Sequence, residues 1–260
     1  MRPLAEFTNR ITEQLAAGGV ALGAALPDAS DLLAKWSVDT GIDFLWIDLE
    51  HRSYGPYEVR WVPIICRAVG CAAMIRVPGL DPLWFKKALD IGANTIMVPQ
   101  INTAEEARRA VEYAKYPPEG SRGISPLWTQ FLDVSWHDYL PAANDETAVV
   151  VQIETPAGLE NLDEIARVDG VDVVFAGPQD LAASLGHIGH PEHDEVQELL
   201  AGFPARVAEH GRPAGITDVG LEACTRWFDC GYRFINVGTI AHLGIDGLAA
   251  ALTELRQRGK

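Results

Sequence analysis

The amino-acid sequence predicts a single-domain (β/α)8 TIM barrel over residues 1–260, and three observations indicate this fold. Eight short apolar runs alternate with longer helical patterns, which is the number of strands that such a barrel needs. The runs are mostly continuous, as in parallel strands whose two faces are both buried. The length of 260 residues is near the roughly 250 typical of the fold. A doubly wound sheet also alternates strands and helices, but its glycine fingerprint is missing after the first run.

Local signals place the elements in order along the chain. The predicted strands cover residues 20–25, 44–49, 72–77, 95–99, 148–153, 171–176, 213–217 and 234–237. Thr103 and Glu106 predict a capping box, while Asp81 and Thr155 each precede a proline suited to a first helical turn. The expected C-terminal helix stops are Gly92, Gly211 and Gly231. Residues 117–145 are expected to form a long loop, and such loops are often functional.

Composition excludes several classes of protein. With 48% hydrophobic and 22% charged residues, the chain is not intrinsically disordered. Its net charge of −15 disfavours nucleic acid and anionic membrane surfaces as partners. We expect a cytoplasmic protein, because no run approaches the roughly 20 apolar residues of a membrane helix and no signal peptide is recognisable. The four cysteines show neither a disulfide framework nor a CxxC zinc pattern.

Two acidic residues close neighbouring predicted strands. Glu154 follows the fifth strand and Asp180 follows the sixth, and functional groups in α/β barrels gather at the carboxyl ends of the strands. Two converging carboxylates without a nearby lysine suit a hard divalent cation such as Mg²⁺ or Mn²⁺. Both residues also precede helices, so helix capping is the alternative interpretation.

The second and third strands end in further polar groups. His51, next to Asp48 and Glu50, is a candidate base, although a histidine at a strand end is also often structural. Arg76 lies in an apolar strand and needs an anionic partner, which could be Asp48, Glu50 or a substrate oxyanion. A purely structural salt bridge remains the alternative for this arginine.

Two other features argue against rival chemistry. The sequence contains five lysines, and none of them closes a predicted strand: Lys35, Lys86, Lys87, Lys115 and Lys260. A Schiff-base aldolase needs a desolvated lysine in the mouth of the barrel, so this mechanism is not expected. The histidines of the HIGHPEH segment, residues 187–193, are interpreted as a solvated turn, because glycine and proline between them leave no fixed ligand geometry.

The strand-end groups lie in stretches that resemble one known family. The sequence is similar to the HpcH/HpaI family of metal-dependent class II pyruvate aldolases from about residue 20 to residue 250. The similarity is carried by FLWIDLEHRSYG (44–55), MIRVPG (74–79), ALDIGANTIMVPQINTAEEARRAV (88–111), YPPEGSRG (116–123), VVVQIETPAGLENLDEIARVDGVDVVFAGPQDL (149–181) and GYRFINVG (231–238). The QIE and GPxDL pair, with DxEH and IRVP upstream, is specific for this superfamily of barrels.

The resemblance implies roles for particular residues at the strand ends. Glu154 and Asp180 match the metal ligands of the family, and the metal would be Mg²⁺, Mn²⁺ or Co²⁺. His51 matches the base, Asp48 the acid near it, and Arg76 the arginine that faces the carbonyl oxygen of pyruvate.

Further implied roles concern the substrate and a second subunit. Gln152 would lie beside the substrate, and the backbone amides of Gln179 and Asp180 would receive its carboxylate. Asp90 matches an aspartate that pairs with the catalytic histidine across a subunit boundary, in a family that is typically hexameric and built from dimers. The chain departs from the family at residues 122–125, which read RGIS rather than RGxG, and at Ala182, which replaces a serine. Both departures are expected near the mouth.

The implied reaction is the reversible cleavage of a 4-hydroxy-2-oxo acid into pyruvate, or hydroxypyruvate, and an aldehyde. A metal-stabilised enolate would form, with Arg76 adding positive charge and His51 moving the proton. One alternative is an acyl-CoA lyase of the citrate-lyase β or malyl-CoA type, for which the expected mouth offers Arg52, Arg76 and Arg122 as phosphate partners. A catalytically silent barrel is another, but it has no reason to keep five polar groups at one end.

Overall fold

Eight parallel strands form a closed barrel in the computed structural model, which describes residues 7–258. Each strand pairs with the next in sequence, and the eighth pairs with the first. This topology confirms the predicted (β/α)8 barrel. The strands are β1 Ala21–Ala25, β2 Phe44–Asp48, β3 Ala72–Arg76, β4 Thr95–Val98, β5 Ala148–Ile153, β6 Val173–Ala176, β7 Ala214–Thr217 and β8 Phe234–Thr239.

Helices surround the barrel and begin where the local signals predict. Thr103 and Glu106 form the complete capping box of α5, and Gly231 ends α12 in the left-handed conformation. The helices are α1 Arg10–Ala16, α2 Asp31–Asp39, α3 Val62–Ala68, α4 Pro82–Asp90, α5 Ala104–Ala114, α6 Trp136–Tyr139, α7 Ala143–Glu146, α8 Pro156–Glu160, α9 Leu162–Ala166, α10 Pro178–Ser184, α11 Asp194–Ala208, α12 Leu221–Cys230 and α13 Ile240–Arg258. None of the helices in residues 7–258 is long and apolar enough to cross a membrane.

Alternation along each strand divides the core into two layers. Side chains of successive strand residues point to opposite faces, so Phe44, Trp46 and Asp48 share the face toward the barrel axis. Phe44 and Trp46 belong to the interior cluster, whereas Leu45 and Ile47 pack in the layer between strands and helices. The carboxyl end of each inward row is therefore the position from which a polar side chain reaches the mouth.

The amino end of the barrel is closed by packed chain. The Asn9 side chain donates hydrogen bonds to the carbonyl oxygens of Asn94 and Glu146, and Ile11 of α1 is buried in the interior cluster. The segment expected as a loop over residues 117–145 also lies at this end. Residues 117–126 contain no helix or strand, as expected, but α6, α7 and two short 3-10 helices, Leu127–Phe131 and Leu140–Ala142, occupy much of the rest. The packed chain therefore closes the amino end of the barrel interior.

Candidate active site

Arg76 and Asp48 form a buried, two-pronged ion pair at the mouth. The two residues stand opposite each other in the register of β2 and β3. Arg76 Nε lies 2.9 Å from Asp48 Oδ1, and Arg76 Nη2 lies 2.8 Å from Asp48 Oδ2. Arg76 Nε also lies 3.2 Å from Glu50 Oε2, and the guanidinium stacks 4.8 Å from the Trp46 ring centroid. Both acidic partners considered from the sequence therefore contact this arginine.

The Asp48 carboxylate stays ionised in spite of its burial. Desolvation alone would raise its pKa, but the hydrogen bonds and the charge of Arg76 outweigh this effect. The backbone N–H groups of Glu50 and His51 donate to Asp48 Oδ1 and lower the pKa further. The pair consequently holds the guanidinium in one orientation at the mouth.

Glu154 is held in a cradle of backbone and amide groups. The Gln100 backbone N–H donates to Glu154 Oε1 over 2.9 Å, and the Gln152 side-chain amide donates to Glu154 Oε2. Gln100 has a φ of 54°, an unusual value that points its N–H at the carboxylate. A Cβ at Gly177 would stand 2.6 Å from Glu154 Oε2 and 2.7 Å from Gln152 Nε2. Only glycine leaves room for both side chains there.

Asp180 lies in the first turn of α10 and is exposed at the rim. Its charge raises the pKa values of Glu154 and Glu50, which shows that the three carboxylates face one another. The capping alternative is wrong for both predicted metal ligands. The N-cap of α10 is Gly177, without a side-chain hydrogen bond, and the N-cap of α8 is Thr155.

Negative charge exceeds positive charge in this cluster. Burial, Asp180 and Glu50, in that order, raise the pKa of Glu154 to about 7. Burial also raises the pKa of Glu50. Gln152 Oε1 accepts no hydrogen bond from the described residues, and Glu50 Oε2, although 3.2 Å from Arg76 Nε, is not in hydrogen-bond geometry with it. Oxygen ligands with surplus negative charge and free lone pairs are what a hard divalent cation requires, so the residues present fit such an ion.

The His51 side chain is 58% exposed at the opening. Its Nε2 lies 3.5 Å from Glu50 Oε2, so the carboxylate nearest to the imidazole is Glu50. Asp48 contacts His51 through the backbone N–H. Gln179 is exposed beside Asp180 in the first turn of α10. The strand ends thus bring together His51, Arg76, Asp48, Gln152, Glu154, Gln179 and Asp180.

Asp90 lies apart from these residues, at the other end of the barrel. It is the last residue of α4, which runs back from the mouth toward the amino end of β4. Arg122 contacts Asp90 there, with 3.5 Å between Nη2 and Oδ1, and is not near the mouth as expected. Helix direction, which the local motifs do not encode, causes this difference. Ala182, the other departure expected near the mouth, is a buried residue of α10 two positions after Asp180.

No described lysine closes a strand within residues 7–258, and Lys260 lies outside the described residues. Lys115 is buried, but its ammonium donates to the carbonyl oxygens of Asn144 and Thr147 at the amino end of β5. The remaining three lie in α2 and α4.

The HIGHPEH segment forms an exposed turn in which His187 and His193 stack with 3.5 Å between ring centroids. His187 Nε2 pairs with Glu195 Oε2 over 2.8 Å, whereas His190 pairs separately with Glu192. Ligand atoms of His187, His193 and Glu195 all lie within 4.8 Å of one another, so this exposed group could hold a metal ion. The expectation that the segment offers no ligand geometry was therefore wrong for these residues.

Three features of the site were not predicted from the sequence. Glu50 was expected only as a neighbour of His51 and Arg76, although this carboxylate also faces Glu154 and Asp180. The Gln100 backbone N–H was not expected at all, because its direction depends on a φ that the residue type does not predict. The third feature is the close packing of Gly177 against Glu154 and Gln152, and the glycine in GPxDL could have indicated it.

Comparisons with known proteins show to which family the chain belongs. The profile of the HpcH/HpaI aldolase/citrate lyase family matches residues 23–248. The chain is 38% identical over 221 residues to 2-dehydro-3,6-dideoxy-6-sulfogluconate aldolase of Pseudomonas putida, covering 84% of this chain and 86% of the relative. It is 37% identical over 236 residues to 5-keto-4-deoxy-D-glucarate aldolase of Salmonella newport (strain SL254), covering 90% and 91%.

A solved structure shows the same architecture. An HpcH/HpaI aldolase/citrate lyase family protein from Burkholderia cenocepacia J2315 superposes with a TM-score of 0.88 at 33% identity, covering 96% of this chain and 100% of that one. The family profile spans most of the chain, and both aldolase relatives align over more than four-fifths of their own length. The chain therefore belongs to the HpcH/HpaI aldolase/citrate lyase family and is a carbon–carbon lyase of the aldolase type.

Proposed function

We propose that this aldolase is metal-dependent and reversibly cleaves 4-hydroxy-2-oxo acids into pyruvate, or hydroxypyruvate, and an aldehyde. One observation carries the proposal: Glu154, Asp180 and Glu50 concentrate negative charge beside the Arg76 guanidinium in a mouth with free oxygen acceptors. A cation between the carboxylates would remove their mutual repulsion. The names of the relatives, which specify dehydro and keto sugar acids, support an oxo acid as substrate.

Glu154 and Asp180 would hold the divalent cation, which is Mg²⁺, Mn²⁺ or Co²⁺ in this proposal. Such an ion supplies Lewis acidity toward the 2-oxo group of the substrate. Gln152 Nε2 fixes the orientation of the Glu154 carboxylate through its hydrogen bond. The backbone N–H groups of Gln179 and Asp180, in the first turn of α10, would receive the substrate carboxylate.

Arg76 would stabilise the negative charge that develops on the 2-oxo oxygen when the bond between C3 and C4 breaks. Asp48 orients the guanidinium through two hydrogen bonds, so little reorganisation is needed during the reaction. His51 would take the proton from the 4-hydroxyl group during cleavage and return it during synthesis. Its exposed position beside Glu50 supports this role, because the aldehyde half of the substrate would enter from the solvent side.

The alternative acyl-CoA lyase has weaker support. Its substrate carries phosphates that need cationic partners, and three arginines were expected at the mouth. Arg76 forms ion pairs with Asp48 and Glu50, and Arg122 lies at the other end of the barrel. Of the three, Arg52 is then left to bind phosphate. Cleavage of malyl-CoA or citramalyl-CoA at rates above those of the oxo acids would favour the alternative.

We also propose that the enzyme assembles as a hexamer built as a trimer of dimers, as the resemblance implies. The outer helix α13 leaves the barrel, with Leu243, Ile245 and Leu248 exposed by 42–62%. An apolar groove of about 420 Å³ remains beside β8, lined by residues such as Leu22, Phe228 and Val237. Exposed apolar helix and apolar groove are complementary surfaces for a second copy. Assembly would also allow Asp90 to reach His51 of a neighbouring subunit.

Hydrogen exchange of pyruvate tests the proposed function. Pyruvate methyl protons should exchange into D₂O with enzyme and Mg²⁺, Mn²⁺ or Co²⁺, as measured by NMR, because the developing charge is stabilised before any aldehyde binds. EDTA or Glu154→Gln should abolish exchange. The matched control Glu160→Gln changes an exposed glutamate of α8 and should leave it intact.

Two outcomes would contradict the proposal. Exchange that persists at full rate in EDTA would show that no metal is needed. Borohydride added with pyruvate should trap no adduct, because no described lysine closes a strand. A pyruvyl-lysine peptide in the mass spectrum would establish a Schiff-base mechanism instead.

A further inference from the structure

Arg122 is a buried cation with few partners. Its side chain has 0% exposure and stacks 4.2 Å from the Tyr116 ring centroid. One nitrogen, Nη2, lies 3.5 Å from Asp90 Oδ1, which is at the outer limit for a hydrogen bond. Nε and Nη1 donate to no acceptor within the described part of the chain. Leaving buried N–H groups unpaired is unfavourable, so stability alone does not account for this residue.

Backbone contacts fix the position of the Arg122 guanidinium. The Arg122 backbone N–H donates to the carbonyl oxygen of Lys115 over 2.9 Å, which anchors the turn to the end of α5. A Cβ at Gly120 would stand 2.3 Å from the carbonyl oxygen of Glu112, so the chain can pass there only as glycine. The turn thereby brings Arg122 to the last residue of α4, Asp90, whose side chain is 21% exposed.

We propose that Arg122 is a positioning residue. It keeps the Asp90 carboxylate ionised and oriented toward the surface where this carboxylate would contact His51 of a second subunit. This inference rests on the proposed function, because it requires Asp90 to act across the subunit boundary. Arg122 itself is too deeply buried to touch the substrate. It would act through Asp90.

The charges around Asp90 explain why a cation is needed. Burial is the largest influence and raises the pKa of Asp90 to about 6, whereas Arg122 and Lys86 oppose this rise. Tyr116 faces the same carboxylate, and Arg122 also lowers the pKa of Tyr139 through its charge and a side-chain hydrogen bond. Among the described residues, Arg122 and Lys86 are thus the cations that act on Asp90. Without Arg122, the carboxyl would take up a proton near neutral pH and could no longer stabilise a protonated imidazole.

The test compares Arg122→Met with Arg122→Lys in the assembled enzyme. Arg122→Met should lower kcat for the aldol reaction at least tenfold at pH 7 with little change in KM for pyruvate. The acid limb of its kcat profile should move upward by about one pH unit, because an opposite charge lowers a carboxyl pKa by 1–3 units. Arg122→Lys should restore most of the rate and the profile. Arg109→Met, on the exposed face of α5, is the matched control and should change neither.

A double-mutant cycle separates the possible failures. Asp90→Asn and the double variant Asp90→Asn/Arg122→Met should be equally slow, because Arg122 acts only through Asp90. If Arg122→Met slows the Asp90→Asn enzyme by a further tenfold, or leaves the pH profile unmoved, the positioning role is wrong. If Asp90→Asn keeps full activity, the role of Asp90 proposed above fails instead. Light scattering confirms assembly, and Arg122→Gln replaces Arg122→Met if the latter does not fold.

Discussion

Each end of the barrel buries an arginine against a carboxylate, and the two pairs differ in how many of the surrounding polar atoms have hydrogen-bond partners. At the amino end, Arg67 binds Glu146 with 2.6 Å and 3.0 Å between nitrogen and oxygen atoms. Arg67 Nε also donates to the carbonyl oxygen of Gly92, and the guanidinium lies 3.7 Å from the Trp128 ring centroid. Every nitrogen of this arginine has a partner.

At the mouth, Arg76 binds Asp48 with similar geometry but in unsaturated surroundings. Glu50 Oε2 and Gln152 Oε1 accept no hydrogen bond from the described residues, and Arg76, the cation that lowers the pKa of Glu154, is already paired with Asp48. A saturated pair adds to stability or specificity of the fold, whereas an unsaturated one costs stability and can bind something else. The comparison of these two pairs teaches that unmet hydrogen bonds, rather than the ion pair itself, distinguish functional surroundings, and Arg122 at the amino end shares this property.

The largest expected effect is on stability at the amino end. Arg67→Met should lower the free energy of unfolding by about 3–5 kcal/mol, because it leaves the buried Glu146 carboxylate unpaired. Urea denaturation measures this loss. Arg76→Met should cost less, since Asp48 retains two backbone N–H donors. Equal losses in the two variants would show that the pairs have the same role.

Catalytic activity, unlike stability, should depend more on Arg76 at the mouth than on Arg67 at the amino end. Arg76→Met should reduce kcat by about 10²–10³, because the reaction loses a donor to the developing oxyanion. Arg67→Met should keep its activity per folded molecule at a temperature where it remains native. Steady-state aldol cleavage, corrected for folded fraction by circular dichroism, makes the measurement. An active Arg76→Met enzyme would remove this arginine from the mechanism.

A smaller effect is expected from the cradle of Glu154. Gly177→Ala puts a Cβ against Glu154 and Gln152, so these side chains must move. We expect this displacement to lower the free energy of unfolding by about 1–3 kcal/mol. Metal affinity, measured by calorimetry, should fall along with the rate. Gly79→Ala is the control, because its Cβ would meet open space and its φ is not in the left-handed region. Unchanged affinity in Gly177→Ala would show that the mouth is looser than its distances indicate.

The smallest expected effect is a difference in pH dependence between the two ends. The folded-state pKa of Asp48 is lowered, so its contribution to stability is present above pH 4 and is lost as pH falls below about 3.9. The pKa of Asp90 is raised to about 6, so its contribution is present at acid pH and is lost as pH rises from about 4 to 6. Asp90→Asn should abolish this decline, measured by denaturation at several pH values. A decline that persists in Asp90→Asn would assign it to another group.

Local signals in the sequence determined much of the fold. Strand positions could be predicted because both faces are buried, which requires continuous apolar runs such as those of β2 and β5. The capping box of α5 was predictable because its hydrogen bonds join residues three positions apart. The strand-end rule then placed Asp48, Arg76 and Glu154 at one mouth, because parallel strands all end on the same side.

Only the tertiary structure decided which of these groups meet. Glu50 and Glu154 are more than 100 residues apart in the sequence. They face each other because the barrel closes and because of the direction of their side chains, which no local pattern predicts. Asp90 and Arg122 sit in motifs as prominent as the others, yet helix direction carries them to the amino end. Residue type and spacing encode local hydrogen bonds and burial, whereas the convergence of distant charges arises from the packing of the whole barrel.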